Sequence, residues 1–410
     1  MSIKSKISSV RFSQVGHRPT LISAFLYFDV SFMVWVLLGP LAVHIARDLH
    51  LSAVQKSLIV ATPVLAGAGL RIMMGILVDY IKPRLAGLWG QGVVICALML
   101  AWVFGIHTYP QALLLGLALG VAGAAFAVSL PLASSWYPAQ FQGKALGIAG
   151  SGNSGAVLAA LFAPQLANLY GWQNVLGLAL FPLFMVFIIY FFFAKDSPDT
   201  LPAKPLMDYL TILRDPDAWW FMFFYAVSFG GFVGLASSLT IYLNDQYALS
   251  AVQAGDWTAV CVLVGSVVRP LGGVLADRIG GIKTMSWMYC LAAASFFLIS
   301  FGASHMMLTM SLLIPAMFAL GMSNGAVFQL VPQRFRRQMG VMTGLVGMSG
   351  GLGGFYLSSS LGYARQSMGS YQWGWLIFAV LLLVAFVGLT KVKRRWRTTW
   401  GAPHLTSAMV

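Results

Sequence analysis

The chain of 410 residues has no glutamate, and its entire acidic complement is 11 aspartates. Charged residues of both signs make up only 9% of it, against about a quarter in an average soluble protein. With a mean hydropathy of +0.81, there is too little polar surface to cover a water-soluble globule. Cysteine is scarce too: Cys96, Cys261 and Cys290 all lie inside apolar runs, which excludes a disulfide scaffold, and no zinc-ligand spacing occurs. The six histidines fall at the ends of apolar runs or in tails, with no acid or cysteine at catalytic spacing. His44 and Asp48, one turn apart, read as an interfacial pair. No nucleotide-binding loop is present, so the sequence indicates no enzyme, no metal and no cofactor. A net charge of +14 invites a nucleic-acid reading, but that needs the basic residues on one exposed face. They sit instead in short clusters between long apolar runs, and no nucleic-acid partner is expected.

What the chain does have is hydrophobic residues, 59% of the total, in runs of membrane-spanning length. A span needs roughly 20 mostly apolar residues. Breaks at charge and turn clusters predict twelve, starting near Leu21, Lys56, Ala86, Gln111, Gly143, Trp172, Ala218, Ala251, Thr284, Leu308, Met339 and Ser370. The first run is too long for a signal-peptide core and is expected to stay as an uncleaved span. If both ends are cytoplasmic, the inner segments hold 20 of the 25 Lys and Arg and the outer ones only Arg47, Lys56 and Arg365. That bias places both termini inside. The expected organisation is a cytoplasmic tail over 1–20, a six-helix half over 21–194, a cytoplasmic linker over 195–217, a second six-helix half over 218–392 and a cytoplasmic tail over 393–410. The fold class is an all-α membrane protein in two pseudo-symmetric halves, multi-pass in the cell (inner) membrane, in contact with lipid, and able to work as a monomer.

The halves echo each other. Arg71 precedes Asp79 by eight residues and Arg269 precedes Asp277 by eight, with the arginines 198 apart. Gly143, Gly147 and Gly150 match Gly340, Gly344 and Gly347 at an offset of 197. Duplicated six-span halves are the parallel arrangement of major-facilitator transporters, in which the substrate sits near mid-membrane between the halves.

Arg71 and Arg269 lie deep in spans two and eight. A charge at the bilayer centre costs at least a few kcal/mol, so both should face a polar cavity. Each could be neutralised in a structural bridge, but Asp29 is the only carboxylate well inside a span. The other reading is an anion site, two planar guanidinium forks clamping a small flat oxyanion. The glycine runs of spans five and eleven, around Gly150 and Gly350, fit close helix packing. They also fit a backbone bare enough to approach a small ligand, with Asn153 offering an amide donor. Asp29 is either a carboxyl that binds and releases a proton or a group that neutralises an arginine. The segments ending in Asp79 and Asp277 read G-x-L-x-D and resemble the loop motif of the major facilitator superfamily. With Arg84 and Arg278 nearby, they are expected to gate or latch helices, not to touch ligand.

Taken together, the paired arginines with GIAGSGNSG and GLVGMSGGLGG resemble the nitrate/nitrite porter family (NarK/NasA-type) over almost the whole chain. The resemblance implies that Phe126 and Phe229 sandwich a planar anion, that Tyr225 donates a hydroxyl to it, and that Asn153 belongs to the site. Asn324 and Gln329 lie in a stretch that is also similar. It implies secondary transport of nitrate, with nitrite open as a second substrate. The FLYFD-type first span resembles the proton-coupled branch, which makes protons a partner and Asp29 the coupling residue. Nitrate/nitrite antiport stays open, as does a carrier of formate, oxalate or another small anion, and so does a non-transporting anion sensor.

Overall fold

The computed structural model describes residues 12, 15–198, 211–302, 305–335 and 339–399. The first residues of the expected N-terminal tail, the middle of the linker, Arg336, Arg337 and the end of the C-terminal tail lie outside them. The described residues form helices without strands. The first half contains α1 (Arg18–Asp48), α2 (Ala53–Ile81), α3 (Pro83–Phe104), α4 (Tyr109–Ser134), α5 and α6 (Trp172–Phe193). Within it, α5 joins Ala139–Gly150 to Gly155–Tyr170 through the 3-10 turn Ser151–Ser154. The second half contains α7 (Pro216–Tyr247), α8 (Ala251–Ile279), α9 (Gly281–Ile299), α10 (Met306–Arg334), α11 (Met339–Met368) and α12 (Gln372–Thr399). Eleven of these are long and apolar enough to cross a membrane. The exception is α11, whose glycines and serines dilute its hydropathy, and which packs closely against α2 and α7. Side chains such as Trp89, Phe104, Phe181 and Phe192 are exposed on the periphery, as a lipid-facing surface requires.

The internal duplication is plainer than the arginine and glycine spacings suggest. Leu51–Gln55 and Leu249–Gln253 are the same five residues, LSAVQ, 198 apart. In both, the serine caps the helix: its Oγ accepts the glutamine N–H, and that glutamine's Oε1 accepts the serine N–H. This capping box satisfies two otherwise orphaned donors and starts α2 and α8 at equivalent points.

Four helices are interrupted at mid-length. α1 breaks at Val36 and Leu37, α4 at Ala124 and Ala125, α5 at its 3-10 turn and α8 at Val268. Pro270 follows the break in α8, where a residue without N–H deprives the preceding turn of a hydrogen bond. Arg269 therefore opens the resumed helical segment, between Val268 at the break and Pro270.

The two ends of α7 hold different parts of the molecule. At its start, Asp217 accepts from Arg334 Nε (2.9 Å), Trp396 Nε1 (2.7 Å) and Arg395, while Asp215 accepts from Arg334 Nη2 (2.6 Å). This knot ties α7, α10 and α12 within one half. At its far end, Asp245 takes both oxygens to Lys56 Nζ at 2.7 Å and accepts from Tyr371 Oη at 2.8 Å. Lys56 belongs to α2, so this bond crosses between the halves, as does Val54 N–H to Gln366 Oε1 at 3.0 Å. The halves are thus joined on the face that the charge bias assigns to the outside.

The interfacial pair expected of His44 and Asp48 does not form. His44 Nε2 meets Asn168 Oδ1 at 2.8 Å, and Asp48 accepts from Trp172 Nε1 at 2.6 Å, because α5 and α6 bring a partner to each.

If this face must part during each cycle, locking it stops the cycle. A Val54→Cys and Gln366→Cys pair should be joined by a short reducible bis-thiol cross-linker, with transport falling to about a tenth or less and returning on reduction. Flux measured in proteoliposomes before and after reductant checks this, and unchanged flux in the cross-linked protein contradicts it.

Candidate functional site

Arg71 is carried on the unbroken α2 and is almost fully buried, 1% exposed. Its Nε donates to the Gly123 carbonyl at 3.0 Å and its Nη1 to the Gly347 carbonyl, while Nη2 has no partner among the described residues. Three rings surround the guanidinium: Trp35 at 5.0 Å, Phe229 at 5.3 Å and Phe126 at 5.4 Å to the ring centres. Their electron-rich faces partly replace the water the cation has lost. Trp35 is fixed by its own Nε1–H, which donates to the Pro63 carbonyl at 2.7 Å.

Arg269 is 8% exposed. Its Nη1 donates to the Gly150 carbonyl at 3.5 Å and its Nη2 to Tyr225 Oη at 3.3 Å. The guanidinium lies 5.8 Å from Phe229 and 5.9 Å from Phe328. One turn apart on α7, Tyr225 and Phe229 stack at 5.0 Å with only 4° between their planes. Glycine is required behind them: a Cβ on Gly350 would stand 2.7 Å from Phe229 and 2.8 Å from Tyr225. Phe229 is therefore shared by both cations, and Phe126 closes the opposite side, 5.9 Å from Phe328.

The hydrogen bonds cross. Arg71 of the first half reaches Gly347 in the second, and Arg269 of the second half reaches Gly150 in the first. Gly150 and Gly347 are the matched positions of the glycine repeat, so one interaction is made twice, related by the duplication. Neither arginine forms an ion pair with an aspartate among the described residues, and neither faces the periphery. Two desolvated cations held against shared aromatic rings, without a carboxylate, make a strongly positive site. What such a site can do is bind a small anion.

Comparison with known proteins fits this geometry. The major facilitator superfamily profile matches residues 22–358. The "Probable nitrate transporter NarT" of Staphylococcus carnosus is 32% identical, over 89% of this chain and 94% of its own. The "Nitrite extrusion protein" of Bacillus subtilis is 30% identical, over 87% and 90%. The chain belongs to the nitrate/nitrite porter family of the major facilitator superfamily. This is a family of multi-pass membrane transporters, not of enzymes. The "Probable nitrate/nitrite antiporter NarK1" of Thermus thermophilus is also 30% identical, over 88% of each chain. Among solved structures, an inward-facing bacterial homolog of the human lysosomal transporter Spinster superposes with a TM-score of 0.73, over 93% of this chain and 98% of that one. At 16% identity, that likeness establishes the fold.

Within this porter, the positions named from sequence divide into groups. Arg71, Arg269, Tyr225, Phe126, Phe229, Gly150 and Gly350 come together around one centre. Asn153 is buried beside it; with the amide turned so that its nitrogen faces the neighbouring acceptors, it reaches the carbonyls of Gly150 and Ser151 at 3.2 Å, in its own turn. Asp29 stays apart from both arginines, half-buried, accepting from Ser154 Oγ at 2.6 Å. Asn324 is fully buried with neither amide atom partnered, one turn from Phe328, while Gln329 is turned toward Gly281 on α9. Arg84 reaches the Phe191 carbonyl at 2.7 Å and its N–H meets Asp196 at 2.9 Å, which ties α3 to the end of α6. Asp79 ends α2, exposed, and Asp277 and Arg278 are exposed near the end of α8 with no ion pair among the described residues.

Sequence reasoning missed Trp35, Phe328 and the carbonyls of Gly123 and Gly347. Trp35 had one readable signal: Gly67, four residues before Arg71, clears room for it, since a Cβ there would stand 2.8 Å from its Nε1.

The close backing of the aromatic pair predicts that Gly350→Val destabilises the protein by about 1–3 kcal/mol through overpacking. A lowered melting temperature in detergent checks this, and an unchanged one contradicts it.

Proposed function

We propose that this porter carries nitrate across the cell (inner) membrane by alternating access, with uptake coupled to protons and both termini on the cytoplasmic side. The observation that carries the reading is the crossed pair of arginine-to-carbonyl bonds. A planar monoanion offers three oxygens in one plane, and each guanidinium presents its N–H groups in a plane. An anion entering between Phe126 and Phe229 would take over N–H groups now given to the carbonyls of Gly347 and Gly150, and would use the unpartnered Nη2 of Arg71. Because those carbonyls belong to opposite halves, binding substrate and changing the contact between the halves become one event.

Coupling follows from the energetics of the cargo. Bringing one negative charge in against an inside-negative potential costs roughly 2.3 kcal/mol per 100 mV. One accompanying proton cancels that charge, and a second drives accumulation. Asp29 supports this role by its placement: a half-buried carboxylate inside α1, in no ion pair with either arginine, held by the Ser154 hydroxyl and the Gly155 backbone N–H. Nitrate/nitrite exchange is the second reading. The relative named as a nitrate/nitrite antiporter favours it, and it needs no titrating group, since one monoanion replaces another.

Two measurements separate the readings. Uptake driven by a pH gradient into vesicles should be abolished by Asp29→Asn while nitrate counterflow persists; uptake that survives unchanged removes Asp29 from coupling. Arg71→Lys and Arg269→Lys keep the charge but lose the planar fork, so nitrate affinity should fall by about tenfold or more in each. Retained affinity would mean that the site reads charge alone, which favours a less selective carrier of small anions such as formate or oxalate.

A further inference from the structure

The second half carries a groove on its outer surface that the anion site does not use. It lies between the start of α7 and the last turns of α12 and encloses about 270 Å³. Trp220 forms one wall, and Val380, Leu383, Val384 and Val387 form the other. Trp220 is set against Phe224, with ring centres 5.5 Å apart and 29° between the planes. Gly388 gives that indole its room, because a Cβ there would collide with the Trp220 ring. Val380, Val384 and Val387 are each 48% exposed, so the groove is an open apolar furrow and not a sealed cavity.

Its charge is at one end only. Val380, Val384 and Val387 recur at i, i+4 and i+7 of α12, and the next lining residue of the stripe, at i+11, is Lys391. Lys391 is exposed and forms no ion pair among the described residues. From Val380 to Lys391 the helix rises by about 16 Å at about 1.5 Å per residue. The hydrocarbon of one leaflet is about 15 Å deep, half of a core of about 30 Å. The groove thus has the length of one lipid tail and sets a cation where that lipid's headgroup begins. Trp219, exposed beside Trp220, marks the same level, as aromatic side chains do at a membrane interface.

A second groove shows what is particular about the first. Near the other end of α12, Phe297, Phe301, Trp373 and Leu376 line a furrow of about 280 Å³ whose polar members are the neutral Ser300 and Gln372. The two are alike in size and in apolar lining, and they differ in charge. An acyl chain fits either one, but only the groove that ends in Lys391 complements an anionic headgroup.

We propose that the groove between α7 and α12 is a binding site for one anionic glycerophospholipid of the cytoplasmic leaflet, with its acyl chain against Trp220 and the valines and its phosphate on Lys391. The choice of leaflet rests on the orientation proposed above; the choice of headgroup rests on Lys391 alone. Basic residues near a membrane attract anionic lipids in general. This one differs in standing at the end of a furrow that fixes where the lipid lies. Both walls belong to the second half, and Arg395, one turn beyond Lys391, pairs with Asp217 in the knot of α7, α10 and α12. The lipid therefore braces that half without crossing the contact between the halves.

The test mixes the full-length protein, in an uncharged detergent, with equal amounts of phosphatidylglycerol and phosphatidylcholine of the same acyl chains. Native mass spectrometry then identifies the first lipid retained. The wild type should retain the anionic lipid over the zwitterionic one by about fivefold, the size expected of one lysine at a headgroup. Lys391→Gln should bring that ratio close to one. Lys393→Gln removes the same charge from the opposite side of α12 and should leave the ratio at its wild-type value. Val384→Trp fills the groove and keeps the lysine, so it should lower retention of both lipids. Equal loss of preference in Lys391→Gln and Lys393→Gln would mean attraction to diffuse positive charge and would overturn the site. A wild-type ratio near one, an unchanged ratio in Lys391→Gln, undiminished retention in Val384→Trp, or a second copy of the chain retained in place of lipid would overturn it as well.

Discussion

Two guanidinium groups are buried at equivalent positions of the two halves, and among the described residues no carboxylate pairs with either. Taking such groups out of water is costly, and the fold offsets the cost with backbone carbonyls and aromatic faces in place of acids. Much else in the structure serves that arrangement. One acceptor of each cation, Gly347 for Arg71 and Gly150 for Arg269, lies on the opposite half, so contacts between the halves and the anion site share the same bonds. A neutralising aspartate would have stabilised the cations more strongly, and it would also have left no free attraction for an anion.

Carbonyls can be offered sideways only where a helix is irregular or free of side chains. This accounts for the position of the breaks. The interruptions in α4, α5 and α8 fall beside Gly123, Gly150 and Arg269, and the interruption in α1 follows Trp35, which lies against Arg71. It also accounts for α11, the one long helix too rich in glycine and serine to read as a confident lipid-crossing segment. Its backbone supplies Gly347 to Arg71 and room at Gly350 for the stacked pair Tyr225 and Phe229. The ion pair between Lys56 and Asp245 then joins the halves at a distance from the site, where a salt bridge can form and part without disturbing the cations.

The fold was legible because its signals are thermodynamic: long apolar runs, their number, and a duplication with a nearly constant offset. Arg71 and Arg269 were legible for the same reason, since a charge at mid-membrane demands an explanation from sequence alone. The residues around them were not. Trp35 and Phe328 belong to an aromatic population so large that no single ring stands out, and only contact with a guanidinium distinguishes them. The carbonyls of Gly123, Gly150 and Gly347 carry no signal of their own, because every residue has one. Asn153 illustrates the opposite case: its identity was noticed, but the acceptors beside its amide are the carbonyls of Gly150 and Ser151 in its own turn. His44 and Asp48 show why spacing alone misleads, as each found a better partner on a neighbouring helix.

The central claim is that one flat anion is shared by both arginines and replaces their bonds to opposite halves. It is tested most directly by a structure determined with nitrate bound. The account predicts the anion between the Phe126 and Phe229 rings, within hydrogen-bond distance of both guanidiniums, with Arg71 and Arg269 withdrawn from the carbonyls of Gly347 and Gly150. Nitrate bound elsewhere, or bound while both arginines keep those carbonyls, would contradict it.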